Sequence, residues 1–296
     1  MDLDSLIITV FCIVDDTLMR LYSNQRLRQR GPRPQMADSE VLTIEIVGEH
    51  LGLDRERALL DYFRRHWSHY FPALRKVHRT TFTRQAANLW KVKEELWQQL
   101  LEQTGCDPRW ALVDSFPVAV CRFARAPRCR TFRGVAGYGK DHTIKQTFYG
   151  FRLHVRVAWP GVITRFEVCA AEVADLAVLE DLTEQTTGSC LADRNYWSPT
   201  LHAQLAGQGV QMLVPFKKAS RDPKPERSHR ISSIRYRIET VFSQLTERFQ
   251  IKRVWARDMW HLGSRLLRKV LAHTIGIILN RAEGREPLRL AELLAH

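Results

Sequence analysis

Apolar residues recur along this chain with two periods, and the change from one to the other divides it. Up to about residue 105 the spacing is helical. The first apolar run, "LIITVFCIV", opens a helix behind Asp2 and Asp4. A basic, proline-containing stretch, "RLRQRGPRPQ" (26–35), interrupts the pattern as a hinge. Asp38 or Ser39 can then cap "SEVLTIEIVGEHLG", which closes on a glycine. Thr80 or Thr81 can cap one long helix, "FTRQAANLWKVKEELWQQLL", in which Leu89, Val92, Leu96 and Leu100 fall on one face. Short helices around the basic "RKVHRTTFTRQ" would suit a helix-turn-helix that meets DNA, although a solvated helical bundle carries the same periodicity.

Beyond residue 106 the period shortens to that of strands. In "WALVDSFPVAV" the residues Ala111, Leu112, Val113, Phe116 and Val118 read as a strand buried on both faces, with Asp114 inside it. A lone carboxylate there costs several kcal/mol, so it needs a hydrogen-bonding partner or a cation. A long polar insertion follows, including the glycine-rich "RGVAGYGKDH" (133–142), which lacks the Walker spacing and offers only backbone phosphate contact. Then "TFYGFRLHVRVAWPGVITRFEVCAA" is a hairpin turning at Pro160-Gly161. Phe151, Leu153, Val155 and Val157 face one way, and Arg152, His154 and Arg156 the other. "ADLAVLEDLTEQ" reads as a helix, "GSCLADRNYW" as a strand with its exit loop, "SPTLHAQLAGQG" as a helix, "VQMLVPF" as a strand, and "ISSIRYRIETVFSQLTERF" as one amphipathic helix. Three strands with a hairpin, then helix, strand, helix, strand, helix is the order of an RNase H-like α/β fold. Its mixed sheet carries helices on both faces, here preceded by an all-helical N-terminal domain. The expected division is 1–105 (helical, for DNA binding or dimerisation), 106–258 (catalytic) and 259–296 (a helical segment packing on the core).

Charge sharpens this picture. The 296 residues carry a net charge of +13, which points to a polyanionic partner. Between 122 and 156 nine Lys/Arg face one acid, and between 216 and 257 twelve face four. The intervening 158–215 holds two Arg and seven acids. Two basic runs flanking one acidic stretch make nucleic acid the natural partner. The six cysteines form no CxxC pair, so reduced structural thiols in a cytosol are expected and zinc is not. The N-terminal apolar run lacks a basic start, and "SRLLRKVLAHTIGIILN" carries Arg265, Arg268, Lys269 and His273, so neither signal peptide nor membrane span is expected.

The acids can now be compared. Asp114 lies within the first strand, and Asp193 at the carboxyl end of a strand that neighbours it in an RNase H-like sheet. On the last amphipathic helix Ile234, Ile238, Val241 and Leu245 form the apolar stripe. Glu239 shares a bordering polar strip with Arg235, Ser243 and Thr246, and so can reach the sheet's edge. Three such acids can hold two divalent ions about 4 Å apart, and Mg²⁺ needs only a few carboxylates plus substrate phosphate oxygens. Each has a plainer alternative: a hydrogen-bonded structural acid at Asp114, a local pair with Arg194 at Asp193, a helix salt bridge at Glu239. Asp175 reads as a first-turn helix acid, His154 as a satisfied strand histidine, and Tyr196 and Trp197 as core or as platforms for an unpaired base.

The motifs "VDSFPV", "YGFRLHV", "LADRNYW" and "RYRIETVFSQL", in that order, resemble the DDE transposases of bacterial insertion sequences, and are most similar to insertion sequence family 982. The resemblance covers about 110 to 280. It implies Asp114, Asp193 and Glu239 as the catalytic, metal-binding triad, spaced by 79 and 46 residues, with two Mg²⁺ or Mn²⁺ ions. Arg235 resembles the arginine of a Tyr-Arg-Glu-Lys signature, but Ser232 and Thr246 stand where that signature has Tyr and Lys, leaving Lys252 or Arg248 to grip the phosphate. Lys145, Arg152, Trp197, Lys217, Lys218, Arg221, Arg235 and Lys252 are the expected DNA contacts. The implied activity is cutting at element ends and joining the 3′-hydroxyl to target DNA, by a homodimer on double-stranded DNA in a bacterial cytoplasm, nucleoid-associated when bound. The alternatives are an RNase H-like nuclease or resolvase without strand transfer, and a non-catalytic DNA-binding protein of transposase descent.

Overall fold

A computed structural model describes residues 1–23, 27, 32–141 and 144–294. The hinge expected at 26–35 lies in part outside the described residues, as does His142 at the end of the glycine-rich loop. Five helices come first: α1 (Leu3–Tyr22), α2 (Asp38–His50), α3 (Glu56–His66), α4 (Arg79–Asn88) and α5 (Trp90–Leu101). Then come β1 (Asp107–Arg122), β2 (Gly137–Asp141), β3 (Gln146–Trp159), β4 (Val162–Ala170), α6 (Leu179–Thr183), β5 (Gly188–Leu191), α7 (Pro199–Gly207) and β6 (Val210–Leu213). The chain ends through α8 (Pro225–Ile234), α9 (Tyr236–Ser243) and α10 (Met259–Ala282). Two compact units result: Met1–Thr104 with Leu245–Ile251 and Trp255–His296, and Gly105–Gln244 with Lys252–Val254.

In the helical unit, α1 starts where Asp2 accepts from Ser5 N (2.7 Å) and buries Leu6, Ile7, Val10, Val14 and Leu18. The cap of α2 is Ala37, just before the expected Asp38 or Ser39, and Glu40 Oε2 accepts from its N–H (2.8 Å). The single long helix expected from residue 80 is two, α4 and α5, parted at Leu89, with His78 as the N-cap of α4. The buried carbonyl of Ala86 at the end of α4 finds partners elsewhere: Lys93 Nζ donates to it (3.0 Å), and so does Ser264 Oγ (3.1 Å). Arg75, Lys76, Arg79 and Arg84 of the basic segment are exposed. The segment after 259 groups with the N-terminal helices in one compact unit. α10 is the central helix of the helical unit, buried from Ser264 to Asn280 against α2, α4 and α5. Its three internal cations meet acids of α2 and α3. Arg268 and Lys269 pair with Glu49, Arg268 also reaches Glu45, and Arg265 pairs with Glu56.

The second unit is a mixed six-stranded sheet in the order β2-β3-β1-β5-β6, with β4 also on β3. β1, β3 and β4 run antiparallel as consecutive neighbours, while β1, β5 and β6 run parallel. The hairpin forms as expected, its turn closed by Gly161 N donating to Ala158 O (2.8 Å). The glycine-rich stretch is not a free loop: Gly137–Asp141 is strand β2, sharing with β4 the edge of β3 that β1 leaves open. A Cβ at Gly139 would sit 2.7 Å from Ala171 Cβ, which explains a glycine there by close packing. Gly188, at φ +103, opens β5 where a Cβ would lie 2.3 Å from Arg109 O.

Helices cover both faces of this sheet. Ala111 and Val113 face one core with Leu179, Leu182, Tyr196, Leu205 and Met212. The opposite face of β1 meets α8 and α9, where Phe116 packs edge-on against Phe242. The amphipathic helix expected there as one piece breaks at Arg235 into α8 and α9 and passes into a π turn at Gln244–Arg248. Among the described residues no helix is long and apolar enough to cross a membrane.

Candidate active site

β1 alternates, so Leu112, Asp114 and Phe116 share the face turned to α8 and α9. β5 lies parallel beside it with Leu112 opposite Leu191. Two residues further on each strand, Asp114 and Asp193 come level where β5 ends. Asp193 is fixed as the N-cap of a short turn, its Oδ1 accepting from Asn195 N (2.8 Å). Asp114 Oδ1 accepts from Ser115 N (2.8 Å), and its Oδ2 from the guanidinium of Arg235 (2.6 Å). The two side chains of that ion pair are only 18% and 19% exposed. This is the cation that Asp114 required.

Burial raises the Asp114 carboxyl above its ordinary range; Arg235 and the Ser115 N–H oppose the rise and Asp193 adds to it. Burial likewise raises Asp193, with Asn195 and Arg235 opposing and Asp175 adding. The two acids therefore feel each other, and Arg235 serves both. A third carboxylate, Asp175, lies close enough to raise Asp193 and is tied to β1 through Ser115. Ser115 Oγ donates to Asp175 Oδ1 (2.8 Å) and accepts from Arg152 (3.2 Å). His154 Nδ1 lies 3.5 Å from Asp175, but burial outweighs that carboxylate and lowers the imidazole to about 4. The contact is thus not an ion pair at neutral pH.

Glu239 stands apart. It is exposed on α9, one turn beyond Arg235, and has no hydrogen-bond or ion-pair partner among the described residues. Nor do the described residues contain three His, Cys, Asp or Glu gathered as a metal cluster. At the α8–α9 break, Arg235 O accepts from both Ile238 N (3.0 Å) and Glu239 N (3.5 Å), and it is Arg235 whose side chain enters the acids. Arg235 pairs with Asp114, which neither of its expected roles foresaw.

The expected DNA contacts divide. Lys145, Lys217, Lys218 and Arg221 are exposed, and Lys252 is exposed with its ammonium 5.9 Å from the Phe116 ring, beside the face that carries Asp114. Arg152 is engaged by Ser115 and by Lys140 O (3.2 Å). Trp197 packs on Phe216 (4.7 Å between ring centres) and His202, at the margin of the core. Tyr196 is fully buried, which removes it as a base platform; burial, with Asp175, Asp114 and Asp193 nearby, holds its phenol well above the usual range. Sequence reading missed Ser115 and undervalued Asp175. The DSF triplet did place a serine beside Asp114, but nothing local showed that an acid 60 residues on would accept its hydrogen bond.

Residues 104–259, more than half of the chain, match the sequence model of a family described as the transposase DDE domain. No curated protein and no solved structure matches the chain.

Proposed function

The chain belongs to the transposase DDE domain family, and from that premise we propose that it cuts DNA at the ends of a mobile element and joins the freed 3′-hydroxyl to target DNA. The observation that carries this reading is the pair Asp114, on β1, and Asp193, just past the end of the parallel β5, within the matched segment. The strand order, three antiparallel strands followed by two parallel ones, supports an RNase H-like core. The four motifs support the narrower kinship with insertion sequence family 982.

The acids fit a divalent cation in part. Asp114 and Asp193 are adjacent hard oxygen donors whose charge burial disfavours, and one already takes a guanidinium as counter-ion. Glu239 has yet to join them. In our reading Asp114, Asp193 and Glu239 would hold Mg²⁺ or Mn²⁺, whose charge would lower the pKa of a bound water or 3′-hydroxyl and offset charge on the phosphate. Asp193 is oriented by its turn, and Asp114 by Ser115 and its strand. Arg235, once its carboxylate has another cation, presents two donors to the scissile phosphate. Lys252, beside Phe116, and the exposed Lys145, Lys217, Lys218 and Arg221 neutralise the DNA backbone. Joining two ends calls for a homodimer on DNA, with the helical unit supplying recognition or dimerisation, and for work at the bacterial nucleoid.

The experiment is a cleavage and strand-transfer assay with a labelled element end and Mg²⁺. Asp114→Asn, Asp193→Asn and Glu239→Gln are each expected to lose at least about 10³-fold in rate while DNA binding stays near normal. A variant keeping a tenth of the activity removes its residue from the site. Cleavage without joined product turns the reading to a nuclease.

A further inference from the structure

On the face of β1 that carries Asp114, a cavity of about 900 Å³ opens between the sheet and α8. Trp110, Leu112 and Trp159 line it from the sheet, and Arg227, Arg230 and Ile234 from the helix. Its large apolar side chains are exposed for their size: Trp110 at 50%, Ile234 at 42% and Trp159 at 39%. Ile234 was expected in the buried stripe of its helix, and the break at Arg235 leaves it facing this cavity instead. Two indoles and an isoleucine around one opening of ligand-pocket size are more than a packed surface needs.

Charge and position narrow the occupant. Arg227, Arg230 and Lys224 ring the opening against the single acid Glu226, and the guanidinium of Arg237 lies 5.0 Å from the centre of the Trp159 ring. Flat aromatic surfaces beside cations suit a ligand with π faces joined by phosphates. Trp110 is four residues from Asp114 along one strand, roughly 13 Å, or about four stacked nucleotides. We propose that this cavity holds an unpaired nucleotide of the strand whose phosphate lies at Asp114 and Asp193. Its base stacks on Trp110 and Trp159, and its backbone runs across Arg227 and Arg230. The proposal rests on the DNA-processing reading above, and it gives that reading a site that recognises strand opening.

The test uses the full chain and two fluorescent probes, a short oligothymidine and a blunt duplex of mixed sequence. Trp110→Ala is expected to weaken oligothymidine binding about tenfold or more, with Trp110→Phe recovering most of it. Duplex affinity should stay unchanged, because paired bases are already stacked. Trp159→Ala makes the same measurement should Trp110→Ala fail to fold. Equal loss on both probes, or none on either, overturns the proposal while leaving the DNA-processing reading standing. A wild-type chain that binds neither probe overturns the DNA reading itself. A wild-type dimer dissolved by Trp110→Ala in the absence of DNA, seen by sedimentation, shows a second copy in the cavity and likewise overturns the proposal.

Discussion

Asp114 shows how a buried charge is tolerated: a guanidinium 2.6 Å away and the Ser115 N–H donate to its two oxygens, against a second acid that raises its proton affinity. Removing the guanidinium leaves two acids facing each other in a half-buried place. Arg235→Ala should therefore lower the unfolding free energy at neutral pH by about 1–3 kcal/mol. Millimolar Mg²⁺ should restore more of that loss in the variant than it adds to wild type, since the cation fills the vacated role. Thermal unfolding with and without Mg²⁺ measures both effects, and equal Mg²⁺ gains would mean Arg235 does not act as the counter-ion. The need for a cation was legible in the sequence, because Ala111, Leu112 and Val113 made the strand's burial plain. Its identity was not, since the two partners lie 121 residues apart and helix geometry favoured Glu239 as the nearer acid.

At the scale of elements, periodicity gave the right kind of structure and the wrong continuity. Ile234, Ile238 and Val241 keep a helical repeat straight through the Arg235 break, and Phe82, Ala86, Leu89 and Leu96 do so at the α4–α5 break, so neither interruption leaves a trace in the pattern. β2 was hidden for the opposite reason: "GYGKD" has almost no apolar residues, and its strand conformation comes from pairing with β3. α10 was legible as a packed helix despite its charges, but not as the centre of the helical unit. There Glu45 and Glu49 of α2 are 4% and 2% exposed and answer Lys93, Arg268 and Lys269. A buried network of this kind is costly to break from one side. Glu49→Ala strands two cations and should destabilise the helical unit by about 3–5 kcal/mol. Denaturant unfolding followed at amides of α2 and α10 checks this; a loss below about 1 kcal/mol would mean water or a neighbouring acid replaces Glu49.

For the molecule as a whole, acid stability separates the two units. Burial lowers His50 to about 3 and His273 to about 4 in the helical unit, and His154 to about 4 in the sheet unit. An unfolded histidine takes up its proton near pH 6.5, so these folded imidazoles contribute stability that is complete above that value. As pH falls below it, the unfolded chain binds protons that the fold refuses, and the stability is lost progressively toward pH 4 and 3. With two such groups the helical unit should lose about 2 kcal/mol between pH 5 and 4, since His273 begins to take up its proton in the fold by pH 4. The sheet unit has one, and it also has Asp114 and Asp193, whose carboxyls are raised. Those bind protons in the fold at a pH where the unfolded chain still does not, so acid favours the folded state there and offsets the His154 loss. The helical unit is thus expected to open first on acidification, with α2 and α10 losing amide protection at a higher pH than β1 and β3. Hydrogen exchange as a function of pH reads this order directly, and His50→Gln with His273→Gln should flatten the slope in the helical unit alone. Simultaneous loss in both units would mean that they unfold as one cooperative body.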